Sequence, residues 1–471
     1  MNKSAPGLFI WLSVLLSSFI ISSAAHAVCG DVSGDGLIMS NDVLMAARAS
    51  IGALALTPDQ ISRADVALQC GGTNPDAQIM SNDLLMIARA SLGVIELSCA
   101  ETEAITWLKK IGGTGNEEAR SVIQTSDGGY VMAGYTDSYG AGGKDAYVIK
   151  LDGSGSQLWA KTYGGAYADE AHSIIQTSDG GFVFIGTTIT SADGFDELLA
   201  VKLDASGNQI WTKAFPGSGA SSGGDVLQTQ DGGYLIVPGN ENLIKLDSSG
   251  NLLWNKAILD YGRNYESSLK QTSDNGYVVA GWTDACGADC APDFWIVKLD
   301  ASWNPLCTKT YGRNTGPDKA YTINSTSDAG YIVAGFTNDP IAQNTSVPSG
   351  WILKLDASGN KVWDKILGVQ GTAELRSAFQ TTGGNYIAAG TNTAGEETNN
   401  STDFYLAKLD STGNVIWEKK VGLKSSWDSL YSAQQTSDGG FILAGLAADV
   451  YGTSDILVIK VDSAGNYKNC P

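Results

Sequence analysis

The stretch "QTSDGGYVMAG", residues 124–134, returns as "QTSDGGFVFIG" at 176–186, as "QTQDGGYLIVPG" at 228–239, and in looser form four further times. Its Asp-Gly-Gly centre is turn chemistry, in which the aspartate caps the turn and glycine takes the positive φ angles of a tight hairpin. The apolar run after it reads as a strand. Asp127, Asp179, Asp231, Asp274, Asp328, Gly383 and Asp438 mark seven copies, the first and last 311 positions apart over six intervals. That is about 52 residues per copy, a period to be explained before any other feature.

Working outward, each copy is a phrase of four strands: a tryptophan strand such as "ITWLKKIGG" (105–113), a second ending "SVIQT" (121–125), a third, "YVMAGYT" (130–136), and a fourth, "DAYVIKLD" (145–152). Four antiparallel strands per unit match the blades of a β-propeller of the kelch and WD40 kind. A solenoid would also repeat, but two tight turns per unit favour radial blades. A chain with 57 Gly, 12 Trp, 18 Tyr and 11 Phe suits short strands and tight turns. "KLDASGNQIWTK" (202–213) ties a fourth strand to the next tryptophan strand, so these two share a blade. The strand at 104–110 is then left without a partner, and the last copy, "DILVIKVDSAGNYKNCP", ends where its tryptophan strand should be. The N-terminal strand is expected to complete the seventh blade and hide the open sheet edges. Trp107, Trp159, Trp211, Trp254, Trp363 and Trp417 hold one slot in the phrase, and Cys307 holds it in the fourth copy. Such residues could stack on sugars, but their fixed place in a strand favours packing between blades.

Ahead of the repeats, residues 1–27 carry Lys3, an apolar run and the small-residue site Ala25-His26-Ala27, the pattern of a secretory signal cleaved before Val28. No later segment approaches the ~20 apolar residues of a membrane span. Residues 28–97 form a tandem duplication, "CGDVSGDGLIMSNDVLMAARASIG" (29–52) echoed by "CGGTNPDAQIMSNDLLMIARASLG" (70–93). In the first copy Asp31, Ser33, Asp35 and Asp42 occupy loop positions one, three, five and twelve, Leu37 offers its carbonyl at seven, and Gly36 makes the turn. This is the oxygen-ligand spacing of an EF-hand-type Ca²⁺ loop. In the second, Asn74, Asp76, Gln78 and Asp83 are in register, while Gly72 and Ala77 replace the first ligand and the glycine; Asp65 is a candidate for the missing carboxylate.

Two loop-helix halves, each ending in Asp, resemble the type I dockerin, the calcium-dependent module that docks secreted enzymes onto cohesins. The resemblance covers about 65 residues and implies a small α-helical domain, a cohesin-like partner, and partner contacts at Ser40, Asn41, Ser81 and Asn82. A linker at 98–103 and the propeller at 104–471 would follow. The rest of the chain resembles a broad class of bacterial secreted repeat proteins with "GGY(V/I)xAG" and "KLDxxGNxxW" phrases, a likeness that names no activity.

The formal net charge of −20 makes nucleic acid and anionic membranes poor partners and leaves cations, sugars or basic proteins. Export permits disulfides for the seven cysteines. Cys29 with Cys70, Cys286 with Cys290, and Cys99 with Cys470 are the expected pairs, leaving Cys307 as a buried free thiol; "CGADC" lacks the neighbours of a metal site. Past residue 27 the sole histidine is His172, so any Ser-His-Asp triad would have to be built around it. Carboxylates recur where chains lead into the second strand: Glu117, Glu118, Asp169, Glu170, Glu266, Asp318, Glu374 and Asp428. Two of them about 5–9 Å apart would suffice for glycoside hydrolysis, with Glu117, Glu118, Asp169, Glu170 and Glu374 as catalytic candidates. Recurrence in most blades speaks instead for acids that bond neighbouring amides, because a catalytic pair breaks symmetry. The expectation is thus a dockerin-bearing recognition protein linked to polysaccharide breakdown, with a glycoside hydrolase as its rival. A third possibility is a calcium-stabilised cap seated on its own propeller.

Overall fold

The computed structural model describes residues 106–467, apart from 191–194, 217–223, 241, 259–263, 284–290, 314–315, 339–347, 369–372, 394–401, 424–425, 450–451 and the side chains of 264–267. The chain divides into Met1–Ala104 and Ile105–Pro471. The signal peptide, the dockerin-like module with its calcium ligands and partner-contact pairs, the linker, and the six cysteines expected to pair all lie outside the described residues.

The second unit holds twenty-eight strands, β1 to β28 in chain order, arranged as seven four-stranded sheets. It is a seven-bladed β-propeller of antiparallel blades. In the first blade β2 (Glu117–Gln124), β3 (Tyr130–Thr136), β4 (Asp145–Leu151) and β5 (Gln157–Tyr163) pair in sequence order. The last blade runs from β26 (Trp427–Gln435) through β27 (Phe441–Ala448) to β28 (Ser454–Val461), and its fourth place is taken by β1 (Trp107–Ile111), antiparallel to β28. The ring therefore closes with β-ladder hydrogen bonds between the two ends of the repeat array.

Burial explains the sequence of each strand. β3 and β4 are buried at every position and read as nearly continuous apolar runs, because both faces lie between neighbouring blades. The outer β5 begins exposed and becomes buried only at Tyr163. Each core bridges two blades, as where Trp107, Ile442, Ile456 and Val458 pack with Val122, Tyr130, Met132 and Ile149. At roughly 1.5–3 kcal/mol per buried large apolar side chain, these shared layers hold the blades together.

The repeated hairpin is a three-residue lock. Thr125 Oγ1 donates to Asp127 Oδ1 at 2.5 Å, the Gly129 N–H donates to the same oxygen at 3.0 Å, and the buried Lys150 of the "KLD" phrase donates to Thr125 Oγ1 at 2.8 Å and Asp127 Oδ1 at 2.9 Å. Although burial raises the Asp127 carboxyl, its bonds to Thr125 and Lys150 hold it at about 2. Lysine and aspartate pair in the same way at Lys202–Asp179, Lys245–Asp231, Lys298–Asp274, Lys354–Asp328 and Lys460–Asp438. The sixth blade has Gly383 in the aspartate's place, and there Thr381 Oγ1 donates to the Asn385 carbonyl instead. The leading glutamine fastens blade to blade: Gln176 Oε1 accepts from the Ser126 N–H at 2.9 Å, and Gln124 Oε1 accepts from the Ser437 N–H at 2.7 Å across the closure.

The tryptophans pack between blades at the outer rim. The Trp107 ring lies against Gly155 in the next blade's turn, where a Cβ would sit 2.7 Å from the indole, and Trp107 Nε1 donates to the Gly153 carbonyl at 3.3 Å. In the fourth blade's turn Trp303 takes the glycine position at φ 63° and meets Trp254 at 4.9 Å between ring centroids. Cys307 is a free thiol, but half-buried rather than buried, because its slot lies on an outer strand with one face to solvent.

Candidate functional site

The first strand of each blade lines a central channel of about 650 Å³. These inner strands are β2, β6 (Asp169–Gln176), β10 (Asp225–Gln228), β14 (Asn264–Gln271), β18 (Asp318–Ser325), β22 (Ala373–Gln380) and β26. Their repeated Ser or Thr forms a belt between blades: Ser121 Oγ accepts from the Ile174 N–H at 3.2 Å, Ser432 Oγ from the Val122 N–H at 3.1 Å, and Ser377 Oγ from the Ala433 N–H at 3.0 Å. In the third blade Asp225 takes that place, accepting from Ser173 Oγ at 3.0 Å, the Leu269 N–H at 3.1 Å and Lys270 Nζ at 2.5 Å.

One residue before the belt the ladder slips. Arg120, His172, Ser267, Tyr321, Arg376 and Tyr431 are each skipped in the pairing of their inner strand with the next, the signature of a β-bulge. The extra residue escapes the alternation that buries its neighbours. In ring order from the fifth blade to the second the bulge side chains run Tyr321, Arg376, Tyr431, Arg120, His172, and all of them line the channel. The third blade offers only Gly224 at this level.

Acids and cations interlock around this arc. Arg120 Nε donates to Glu118 Oε1 at 2.8 Å, and a second guanidinium nitrogen lies 2.8 Å from Glu170 Oε2. Lys144 Nζ donates to Glu170 Oε1 at 2.8 Å and sits 3.9 Å from the centre of the Tyr135 ring. Arg376 bonds Glu374 at 2.7 Å while its guanidinium lies 3.8 Å over the Tyr321 ring and 5.9 Å from that of Tyr431. Lys319 covers Trp282 at 4.0 Å. Burial would raise the Glu170 carboxyl, but the cations Arg120 and Lys144, each 2.8 Å away, hold it at about 2. His172 is buried, which pushes its imidazole pKa down, and its Nε2 has no hydrogen-bond partner. At 3.7 Å the nearby Glu170 Oε2 is too far to bond it.

Of the carboxylates singled out in the sequence, Glu118, Glu170 and Glu374 meet the bulge arc through these cations. Glu117 and Asp169 do not. Glu117 is fully buried, accepting from Thr136 Oγ1 at 2.6 Å and the Gly113 N–H at 2.7 Å, and Asp169 accepts from the Gly165 N–H at 2.8 Å. Asp318 and Asp428 likewise fasten the loops ahead of them, through the Arg313 N–H at 2.5 Å and the Leu423 N–H at 2.7 Å. The Glu266 side chain lies outside the described residues. The bulge residues themselves went unsingled, apart from His172. Their signal was present: between "EEA" and "SVIQ", "DEA" and "SIIQ", "DKA" and "TINS", or "AEL" and "SAFQ", one residue fails to repeat. Among the described residues no cluster of three or more metal-ligating side chains occurs, and no helix is long and apolar enough to cross a membrane.

The fold and channel define a seven-bladed propeller with a repeat region similar to one known family. The family model for outer membrane protein assembly factor BamB matches residues 144–281. No curated protein matches the chain. Among solved structures, BamB from Moraxella catarrhalis is 15% identical over 73% of this chain and 85% of its own, with a TM-score of 0.41. YCF48 from Cyanidioschyzon merolae is 11% identical over 76% and 99%, TM-score 0.44. The Neurospora crassa Pan2 WD40 domain is 11% identical over 76% and 96%, TM-score 0.48. At such identities the likeness concerns the fold alone.

Proposed function

We propose that this chain is an exported recognition protein, with a calcium-loaded N-terminal module that docks onto a cohesin-like partner and a propeller whose channel mouth binds a glycan during extracellular polysaccharide breakdown. The observation that carries the propeller's role is the bulge ring. Inner-strand positions that hold the blades together are Ser or Thr in every blade but the third, whereas the bulge position varies among Arg, His and Tyr in the five side chains that converge on one opening. A layer that breaks symmetry on a symmetric scaffold suits a single ligand.

The chemistry favours binding over hydrolysis. A glycosidase needs a carboxylic acid held protonated near neutrality beside a free carboxylate. Here Glu118, Glu170 and Glu374 are each bonded to a cation, and Glu170 is held at about 2. The two acids that burial raises to a stated value, Asp318 to about 7 and Asp428 to about 6, are tied into backbone loops. The leader and the calcium-loop spacing support export and docking.

The test uses the mature chain, residues 28–471, on a panel of plant and algal polysaccharides, measuring retention in affinity gels and release of reducing ends. Retention without release is expected. Sustained release that stops when two of the three mouth glutamates are replaced would make the protein a hydrolase. A second arm measures capture by an immobilised cohesin, expected with Ca²⁺ and lost on chelation or on joint replacement of Ser40 and Asn41; capture indifferent to both would refute the docking half.

A further inference from the structure

We infer that the channel mouth is a subsite for a sugar acid: the carboxylate of a hexuronate residue enters the recess between His172 and the Arg376–Tyr321–Tyr431 group, while its hydroxyls bond the mouth glutamates. The inference rests on the glycan-binding reading and names the sugar class.

The first observation is the unbonded His172 Nε2, on a side chain with only 5% of its surface exposed that lines the channel. A buried polar atom without a partner costs about 1–3 kcal/mol, so a ligand that supplies the partner recovers that cost on binding. The second is the arc of bulge residues, where a guanidinium held flat on an aromatic ring presents fixed donors for a planar carboxylate. The third is charge. In a chain of net charge −20 the described residues around this arc set Arg120, Lys144, Lys319 and Arg376 against Glu118, Glu170 and Glu374, with Lys270 and Asp225 paired to each other in the channel.

The mixture selects the ligand. A polyanion such as nucleic acid or an acidic peptide would meet three carboxylates as well as the cations. A sugar acid brings one acceptor carboxylate for the cationic donors and several hydroxyl donors for Glu118, Glu170 and Glu374.

The test is calorimetric titration of the mature chain with galacturonate- and glucuronate-ended oligosaccharides, their carboxyl-reduced neutral counterparts, and a Glu-rich peptide. The uronate oligosaccharides should bind at least about tenfold tighter than the neutral ones. His172→Gln and Arg376→Gln should each weaken uronate binding on the order of 10- to 100-fold, the worth of one charged hydrogen bond, in chains that circular dichroism shows still folded as propellers. Arg376→Lys, which keeps the charge but loses the flat stack, should recover only part. Glycan binding that ignores both the carboxyl group and these substitutions would overturn the subsite and leave the glycan platform standing. Binding of the peptide alone, or of no saccharide, would overturn both.

Discussion

At the scale of single residues the channel mouth and the loops behind it show opposite uses of a carboxylate. Glu170 is kept ionised by the groups facing it, so Arg120→Gln or Lys144→Met should each move its titration upward, read by carbon-detected NMR of the carboxyl group; an unmoved titration would mean that neither cation matters. Asp318 goes the other way. Burial drives its folded pKa to about 7, only partly offset by Thr337 and the Arg313 N–H, while an unfolded aspartate titrates near 3.8. Between these values unfolding releases a proton, so the contribution of Asp318 to stability is full below about pH 4, falls as pH rises to about 7, and is gone beyond. Asp428 adds the same trend up to about 6. Urea unfolding should therefore show a propeller more stable at pH 5 than at pH 8, and Asp318→Asn should flatten the decline. A wild-type midpoint that rises with pH over this range would contradict the assignment.

At the scale of the element the blade was legible in the sequence because its determinants are local. The Asp of the hairpin, the lysine of "KLD" and the rim tryptophan act within one turn or between one blade and the next, so each leaves a spaced letter in at least six of the seven copies. The mouth was not legible because a bulge breaks the two-residue alternation on which a strand is read. Glu117 and Glu118 look alike in sequence, yet one is locked inside the blade and the other reaches Arg120. The missing hairpin lock of the sixth blade gives a direct check. A Cβ at Gly383 meets nothing closer than Thr381 Oγ1 at 4.0 Å, so Gly383→Asp should rebuild the bonds to Thr381 and Lys408. Thermal denaturation should report a gain of about 0.5–1.5 kcal/mol, the worth of a capping bond. A loss of stability would show that this hairpin has settled on a different solution.

At the scale of the whole molecule the ring depends on five residues from its beginning. β1 covers the edge of β28 and buries Trp107 in the core it shares with the first and last blades. Removing residues 107–111 should uncover that edge, and size-exclusion chromatography should show association into larger species. An unaltered monomer would mean that the seventh blade stands with three strands. The bulges carry a different consequence. The side chains at 120, 321, 376 and 431 share no ladder pairing with the strand beside them, and none belongs to the fully buried cores. Position 224 is unlike them, since a Cβ there would meet the Val237 carbonyl at 2.7 Å. A library randomised at those four sites would keep the architecture constant while rewriting what the aperture prefers. For a protein engineer, the molecule is a specificity dial mounted on a frame that does not turn with it.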